Sequence, residues 1–334
     1  MPFPKITIVT PSYNQALYLE ATIQSVLAQN YPNLEYFVVD GGSSDGSVEI
    51  IQKYSDQLAW WVSEPDQGQS EAINKGLARA SGEVITWLNS DDLLAPNALH
   101  TVASLFADHP NAGLVHGEST IFWGNAHQPT KEMTKAALGD DIVLQSLGGM
   151  PFAQPSAFFH RRAIDTFGLL DQRLHYAMDY NLFAQIALNY DLVQSSARLS
   201  CYRMHDDSKS TLHNAHFARE YAVIIGRLLR AFHHAAPLID VLQKHGLSVA
   251  GDVTYVAPSK WSFEQLQSAV AYNLKSQLTF YYEGLAMREV CQVAAALAEI
   301  APAFFHRWPQ LQVARQRATY LPAPIIGWLR KFAR

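Results

Sequence analysis

The strongest constraint on what this chain can fold into is its first segment, where short apolar runs alternate with amphipathic stretches. Ile6 to Thr10, Tyr36 to Asp40, Ala59 to Ser63 and Glu83 to Leu88 are rich in β-branched and aromatic residues and read as buried strands. Between them, Tyr18 to Gln29, Ser47 to Tyr54 and Gly68 to Ala80 carry apolar residues at helical spacing. Strands and helices alternating at this spacing predict βαβ units and a mainly parallel central sheet flanked by helices, an α/β fold. In an open parallel sheet, ligands bind outside the carboxyl ends of the strands. Those ends are unusually polar here. In order they are Thr10-Pro11-Ser12-Tyr13-Asn14-Gln15, Asp40-Gly41-Gly42-Ser43-Ser44-Asp45-Gly46, Glu64-Pro65-Asp66-Gln67-Gly68 and Asn89-Ser90-Asp91-Asp92. Each segment alone reads equally well as a turn or a helix cap. Together, on one rim, they predict a site.

Carboxylates repel a diphosphate unless a divalent cation intervenes, and Mg2+ or Mn2+ is held by one or two carboxylates plus phosphate oxygens and water. Asp91 and Asp92 fit that task. Asp40 could accept hydrogen bonds from a base or ribose, with Gly41 and Gly42 permitting close backbone approach. Neither Gly-x-Gly-x-x-Gly nor Gly-x-x-x-x-Gly-Lys-Ser/Thr follows the first strand, which weighs against a dinucleotide site and a P-loop nucleotidase.

Further along, the acidic cluster is expected to open another helix that ends at Asp108-His109-Pro110. Leu114 to Gly117 and Ser119 to Trp123 read as two short strands, Lys131 to Gly149 as loop and helix, and Ser156 to His160 as a strand. Asp179 to Asn189 follows as a helix and Leu192 to Met204 as a strand. Helical periodicity then dominates, over His213 to His234, Ser262 to Tyr282, Glu283 to Ile300 and Leu311 to Tyr320. The expected division is therefore an α/β region, residues 1–213, and a mostly helical region, residues 214–334. A formal charge of −5 without a basic stripe argues against nucleic-acid binding. The two cysteines, Cys201 and Cys291, are far apart and read as buried free thiols suited to a reducing cytoplasm. No signal-peptide pattern and no apolar run near ~20 residues is found.

The motifs Ile8-Val9-Thr10-Pro11-Ser12-Tyr13-Asn14, Val38-Val39-Asp40-Gly41-Gly42-Ser43-Ser44-Asp45-Gly46, Asp66-Gln67-Gly68, Ala72-Ile73-Asn74-Lys75-Gly76 and Leu88-Asn89-Ser90-Asp91-Asp92 resemble the family 2 glycosyltransferases. So do Gln154-Pro155-Ser156, Gly168-Leu169-Leu170-Asp171, Met178-Asp179-Tyr180 and Tyr202-Arg203-Met204-His205, so that the likeness covers roughly residues 4 to 212. The resemblance implies an A-type glycosyltransferase fold and an inverting transfer from a nucleotide-diphosphate sugar, UDP-sugars favoured, to an acceptor hydroxyl on a glycan or lipid-linked acceptor. It implies that Asp40 contacts the nucleobase, that Pro11, Ser12, Tyr13 and Asp66 line the nucleotide pocket, and that Asp91, with Asp92 close by, holds Mn2+ or Mg2+ and the diphosphate. Asp179 is implied as the catalytic base, and His205 as a further metal or diphosphate contact. One departure is plain: Asn89 stands where the family's Asp-x-Asp motif has its first acid, which leaves Asn89 and Ser90 as ribose or water contacts.

Gln154, Pro155, Phe158 and Phe159 read either as an acceptor groove or as core. The helical region has three roles open to it: packing on the transferase, dimerisation, or shaping the acceptor site. Its last stretch, Pro324 to Arg334, suits either a docking helix or peripheral contact with the inner face of a membrane, in surface polysaccharide or lipid-linked glycan assembly. A sugar nucleotidyltransferase and a catalytically weakened nucleotide-sugar-binding protein are the competing readings.

Overall fold

The computed structural model describes residues 3–125, 128–135, 139, 141–205, 214–247, 253–258 and 260–331. The expected boundary at residue 213 and residues 332–334 of the final stretch lie outside the described residues.

The chain divides into two compact units. The first comprises residues 1–142, 151–182 and 190–205 and is built on a sheet that has nine strands among the described residues. β1 (Ile6–Ser12), β2 (Leu34–Asp40), β3 (Trp60–Ser63) and β4 (Val84–Trp87) run parallel in the order β3-β2-β1-β4, as the alternation predicts. Helices α1 (Ala16–Leu27), α2 (Ser47–Lys53) and α3 (Gln69–Leu77) make the crossovers. The sheet continues past β4 in mixed fashion. It contains the short β5 (Leu93–Leu94), β6 (Ala112–Asn125), β7 (Gln128–Lys135), β8 (Ala157–His160) and β9 (Asp191–Met204). β8 is antiparallel to both β4 and β6, whereas β9 runs parallel to β6. Six strands, β1 to β4 with β6 and β9, therefore share one direction.

Ile6, Ile8, Val38, Val84 and Val115 are fully buried with Leu19, Ile23 and Leu99 from the covering helices. Each such side chain contributes about 1.5–3 kcal/mol by leaving water. Phe158 belongs to this core, and Phe159 is equally buried with its ring edge-on to Trp87, which answers the choice left open for them.

Three expectations are corrected. The acidic cluster does not open a helix: β5 follows it, and α4 (Ala98–Asp108) begins after Asn97, whose φ of 62° breaks the chain direction. The two short strands expected around Gly117 are one strand, β6, interrupted by register shifts. β7 occupies part of the stretch expected to be loop and helix. The first unit also holds α6 (Arg162–Phe167), and α5 (Ile142–Gly148) and α7 (Met178–Asn189) each fall partly in both units.

The second unit, residues 143–150, 183–189 and 206–334, is helical among its described residues. Its helices are α8 (Asn214–Arg230), α9 (Ala236–Lys244), α10 (Phe263–Glu283), α11 (Met287–Ile300), α12 (Pro302–Arg307), α13 (Pro309–Tyr320) and α14 (Ala323–Lys331). Ser262 begins α10 with a reciprocal capping box to Gln265, and α10 packs against α8 and α11. No helix among the described residues is long and apolar enough to cross a membrane.

Candidate functional site

The first two strand ends are joined into one structure. β1 continues through Pro11 and Ser12, past the last β4 pairing at Val9, so the missing Pro11 N–H faces no second neighbour. Asn14 then turns with φ 51°, a conformation Asn tolerates better than most residues. Its side-chain oxygen accepts from Ser44 N at 2.9 Å, while its own N–H donates to Ser43 Oγ at 2.8 Å. Asp45 accepts from Ala16 N at 2.9 Å and so serves an orphan donor at the start of α1. The loop after β1 is thereby zipped to the loop after β2.

Asp40 lies at the base of this structure and is fully buried. One carboxylate oxygen accepts from Gly42 N at 3.0 Å, Ser43 N at 2.9 Å and Ser63 Oγ at 2.7 Å, and the other from Ser43 Oγ at 2.5 Å. The geometry makes Asp40 a brace for the turn. Above it, a Cβ on Gly41 would stand 2.7 Å from Asp66 Oδ2 and 3.3 Å from the Tyr13 ring. Three strand ends thus close over Gly41, where any larger residue would displace the Asp66 side chain. Asp66 is oriented by Gly68 N, which donates to Oδ1 at 2.8 Å, and Oδ2 has no hydrogen-bond partner among the described residues. Tyr13 is 62% exposed, an open aromatic face beside an open carboxylate oxygen. Ser12 Oγ, close by, is buried and unpartnered among the described residues.

The fourth strand end separates its two acids. Asp91 Oδ2 meets His205 Nε2 at 3.0 Å, and Asp91 Oδ1 has no partner among the described residues. Asp92 is fully buried and accepts from Arg203 N at 2.9 Å. Burial, and then the charge of Asp91 beside it, push the Asp92 carboxyl well above the usual carboxylate range. Asn89 is held on both sides. Its oxygen accepts from Gln69 Nε2 at 2.7 Å, and its amide nitrogen lies 3.5 Å from Asp92 Oδ2. Ser90 is buried, and its carbonyl accepts from Thr22 Oγ1 at 2.8 Å.

Arg203, which sequence reasoning did not single out, ties this corner together. Its Nε donates to the Asp91 carbonyl at 2.9 Å, and its guanidinium lies over the rings of Tyr18 and Phe122. A cation between Tyr202 and Met204 at the end of a strand was the available signal, because a buried guanidinium needs acceptors nearby. Gln154 Nε2 donates to the Trp87 carbonyl at 2.9 Å, which brings that side chain to the end of β4. Asp179 stands on a different element, in the first turn of α7, where an acid suits the helix dipole, and its carboxylate accepts from Tyr180 N at 2.7 Å.

Among the described residues no group of three His, Cys, Asp or Glu side chains converges as a self-sufficient metal site. Asp91 and His205 meet each other directly, and a cation at the open Asp91 oxygen would take most of its coordination from other ligands. The Asp91 carboxylate suits a cation such as Mn2+ or Mg2+, which takes one or two carboxylates and otherwise retains water and phosphate oxygens.

Residues 7–167 match the profile of Glycosyl transferase family 2. This segment is a family 2 glycosyl transferase domain. The family 2 match embraces the four parallel strands and the Asp91 corner, while Asp179 and His205 lie beyond it. An uncharacterized glycosyltransferase of Nostoc sp. is 32% identical over 167 residues, 48% of this chain and 52% of that protein. The chain spans about half the length of the curated relatives it matches. Among solved structures, S. aureus TarS 1-349 in complex with UDP superposes with a TM-score of 0.62 at 18% identity, covering 98% of this chain and 91% of that one. A mannosyltransferase from Pyrobaculum calidifontis in complex with GDP-Man and Mn2+ superposes with a TM-score of 0.58 at 20% identity, covering 96% of this chain and 87% of that one. At these identities the likeness establishes the A-type glycosyltransferase fold of the family 2 domain.

Proposed function

We propose that this protein is an inverting glycosyltransferase that moves a sugar from a nucleotide-diphosphate donor to an acceptor hydroxyl in glycan assembly. The observation that carries the reading is the Asp91–His205 pair, 3.0 Å apart, in which Asp91 stands on a strand-end rim of the family 2 segment and keeps one oxygen open. TarS was solved with UDP and the P. calidifontis enzyme with GDP-Man and Mn2+, which supports a nucleotide-sugar donor and a divalent cation as the class of ligand here.

In this reading the nucleobase stacks on Tyr13 and donates a ring N–H to Asp66 Oδ2 over the backbone of Gly41. Asp40 holds that backbone from below rather than meeting the base itself. Asp91 and His205 are the residues that would hold the cation, and Asp92 and Arg203 keep the Asp91 turn from moving. The cation would supply charge neutralisation for the departing diphosphate. Asp179 accepts the proton of the acceptor hydroxyl as that oxygen forms its bond to the anomeric carbon and the bond to the diphosphate breaks. One displacement without a covalent intermediate inverts the anomeric centre.

A thermal-shift panel of UDP-, GDP- and dTDP-sugars, with and without Mn2+, tests the proposal. A donor that raises the melting temperature chiefly in the presence of Mn2+ is the expected result, because a ligand bound only by the native state stabilises it. No shift with any nucleotide sugar would contradict it.

A further inference from the structure

Helix α3 (Gln69–Leu77) and the Gly68 that caps it hold three segments, through one backbone N–H and three side chains. At its start, Gly68 N orients Asp66, and Gln69 Nε2 donates to Asn89 Oδ1 at 2.7 Å. Ser70 and Asn74, one helical turn apart and so on one face, turn to a different segment. Ser70 Oγ donates to the Leu174 carbonyl at 3.2 Å. Asn74 makes a reciprocal pair with one residue: Nδ2 donates to the Leu170 carbonyl at 2.9 Å and Oδ1 accepts from Leu170 N at 2.9 Å. Asn74 is 6% exposed, and the partners lie 96 residues apart.

An amide carries a donor and an acceptor side by side, so Asn74 joins Leu170 as a neighbouring strand would, which a carboxylate of the same shape cannot do. The clamped segment has little freedom of its own. Leu170 and Leu174 are buried, and Leu174 N donates to the Asp171 carbonyl at 3.0 Å to close a turn. From there the chain passes directly into α7, where Asn181 N donates to the Ala177 carbonyl at 2.9 Å and Asp179 stands in the first turn. The opposite side of α3 is equally fixed. A Cβ on Gly76 would stand 2.5 Å from Val9 Cγ1, so the helix lies directly on β1.

We propose that Asn74 is a positioning residue that sets Asp179 relative to the donor pocket. Through one short helix and the glycine before it, Asp66 in the proposed base pocket, Asn89 beside the Asp91 corner and the segment that leads into Asp179 share a single reference. Ser70 adds a weaker second tie. The inference rests on the proposed role of Asp179 as base.

The test compares Asn74→Ala, Asn74→Asp, Ser70→Ala and Asp179→Asn with the wild type. The readouts are kcat and KM for Mn2+-dependent hydrolysis of whichever nucleotide sugar gives the largest thermal shift, UDP affinity by calorimetry, and melting temperature. Misplacing a catalytic group by about 1 Å costs on the order of 100-fold. Asn74→Ala and Asn74→Asp should therefore lose about 10- to 100-fold in kcat, with KM and UDP affinity close to wild type. Ser70→Ala removes one bond only and folds even if the Asn74 variants do not, and it should show the same kcat-selective loss on a smaller scale. Unchanged kcat in the variants, or kcat and UDP affinity falling together, overturns the positioning role while Asp179→Asn remains inactive. Near-normal turnover by Asp179→Asn overturns the base itself, and the inference with it.

Discussion

The two rims of the parallel sheet both gather carboxylates, and they use them differently. At the amino-terminal rim, Glu35 at the start of β2 receives Thr7 Oγ1 at 2.6 Å, Ser81 N at 2.7 Å and Ser81 Oγ at 2.5 Å, and pairs with Lys5 at 2.8 Å. Three strand starts meet on that one side chain, and its charge is matched by a cation of the fold. At the carboxyl-terminal rim, Asp91 faces His205 instead, and both Asp91 and Asp66 keep an oxygen without a partner among the described residues. A carboxylate matched within the chain holds the fold; one left with open oxygens at a strand end is available to something outside it.

Substitutions on either side of this contrast should separate activity from stability. The largest effect belongs to Asp179→Asn. Loss of a general base costs about 10²- to 10⁴-fold in rate, so transfer should nearly vanish in single-turnover assays while UDP titrates as in the wild type. A variant with normal turnover would remove Asp179 from the chemistry.

The next effect lies at the opposite rim. Glu35→Gln should cost about 1–3 kcal/mol in denaturant unfolding at neutral pH, because it breaks a largely buried charged network, and should leave UDP affinity with Mn2+ unchanged. Burial works against the ionised Glu35, but the bonds from Lys5, Ser81 and Thr7 outweigh it and hold the carboxyl at about 2. The folded value lies below the ordinary 4.5, so the unfolded chain takes up the proton first as pH falls. This contribution is therefore complete above the ordinary value and lost as pH drops towards the folded one. The wild type should lose stability more steeply than Glu35→Gln across that acid window. Parallel curves would dissolve the contrast between the rims.

What the sequence made legible follows from the same geometry. The four parallel strands were readable because each is a short apolar run, and their ends converge by topology, so Tyr13, Asp40, Asp66 and Asp91 could be named as one rim. β7 was not readable: its residues are mostly polar and, among the described residues, it pairs only with β6, as suits an edge strand. β6 looked like two strands because Gly117 interrupts it. A Cβ there would stand 2.5 Å from the Ala197 carbonyl, so the glycine serves the close approach of β9, a cause distant in sequence. The division of labour between Asp91 and Asp92 was hidden for the same reason. It is set by Arg203 and His205, more than a hundred residues downstream, which take Asp92 into the interior and leave Asp91 at the surface. Asp40 likewise carries a motif that looks exposed, yet Ser63 from β3 completes its burial.

The helical unit offers a last contrast. Its buried polar side chains, such as Asn273 bonding to the Tyr221 carbonyl and Gln277 to Asn273, join helix to helix or lie within one helix. No recognisable motif marked them, since such bonds serve packing wherever the helices meet.

The central claim, that Asp91 and His205 couple a divalent cation to the donor diphosphate, is tested most directly by titrating UDP calorimetrically into wild type and Asp91→Asn, with and without Mn2+. The account predicts that Mn2+ tightens UDP binding to the wild type by about tenfold or more, a coupling of at least ~1.4 kcal/mol, and that this gain disappears in Asp91→Asn. Equal Mn2+-dependent tightening in both proteins would contradict it.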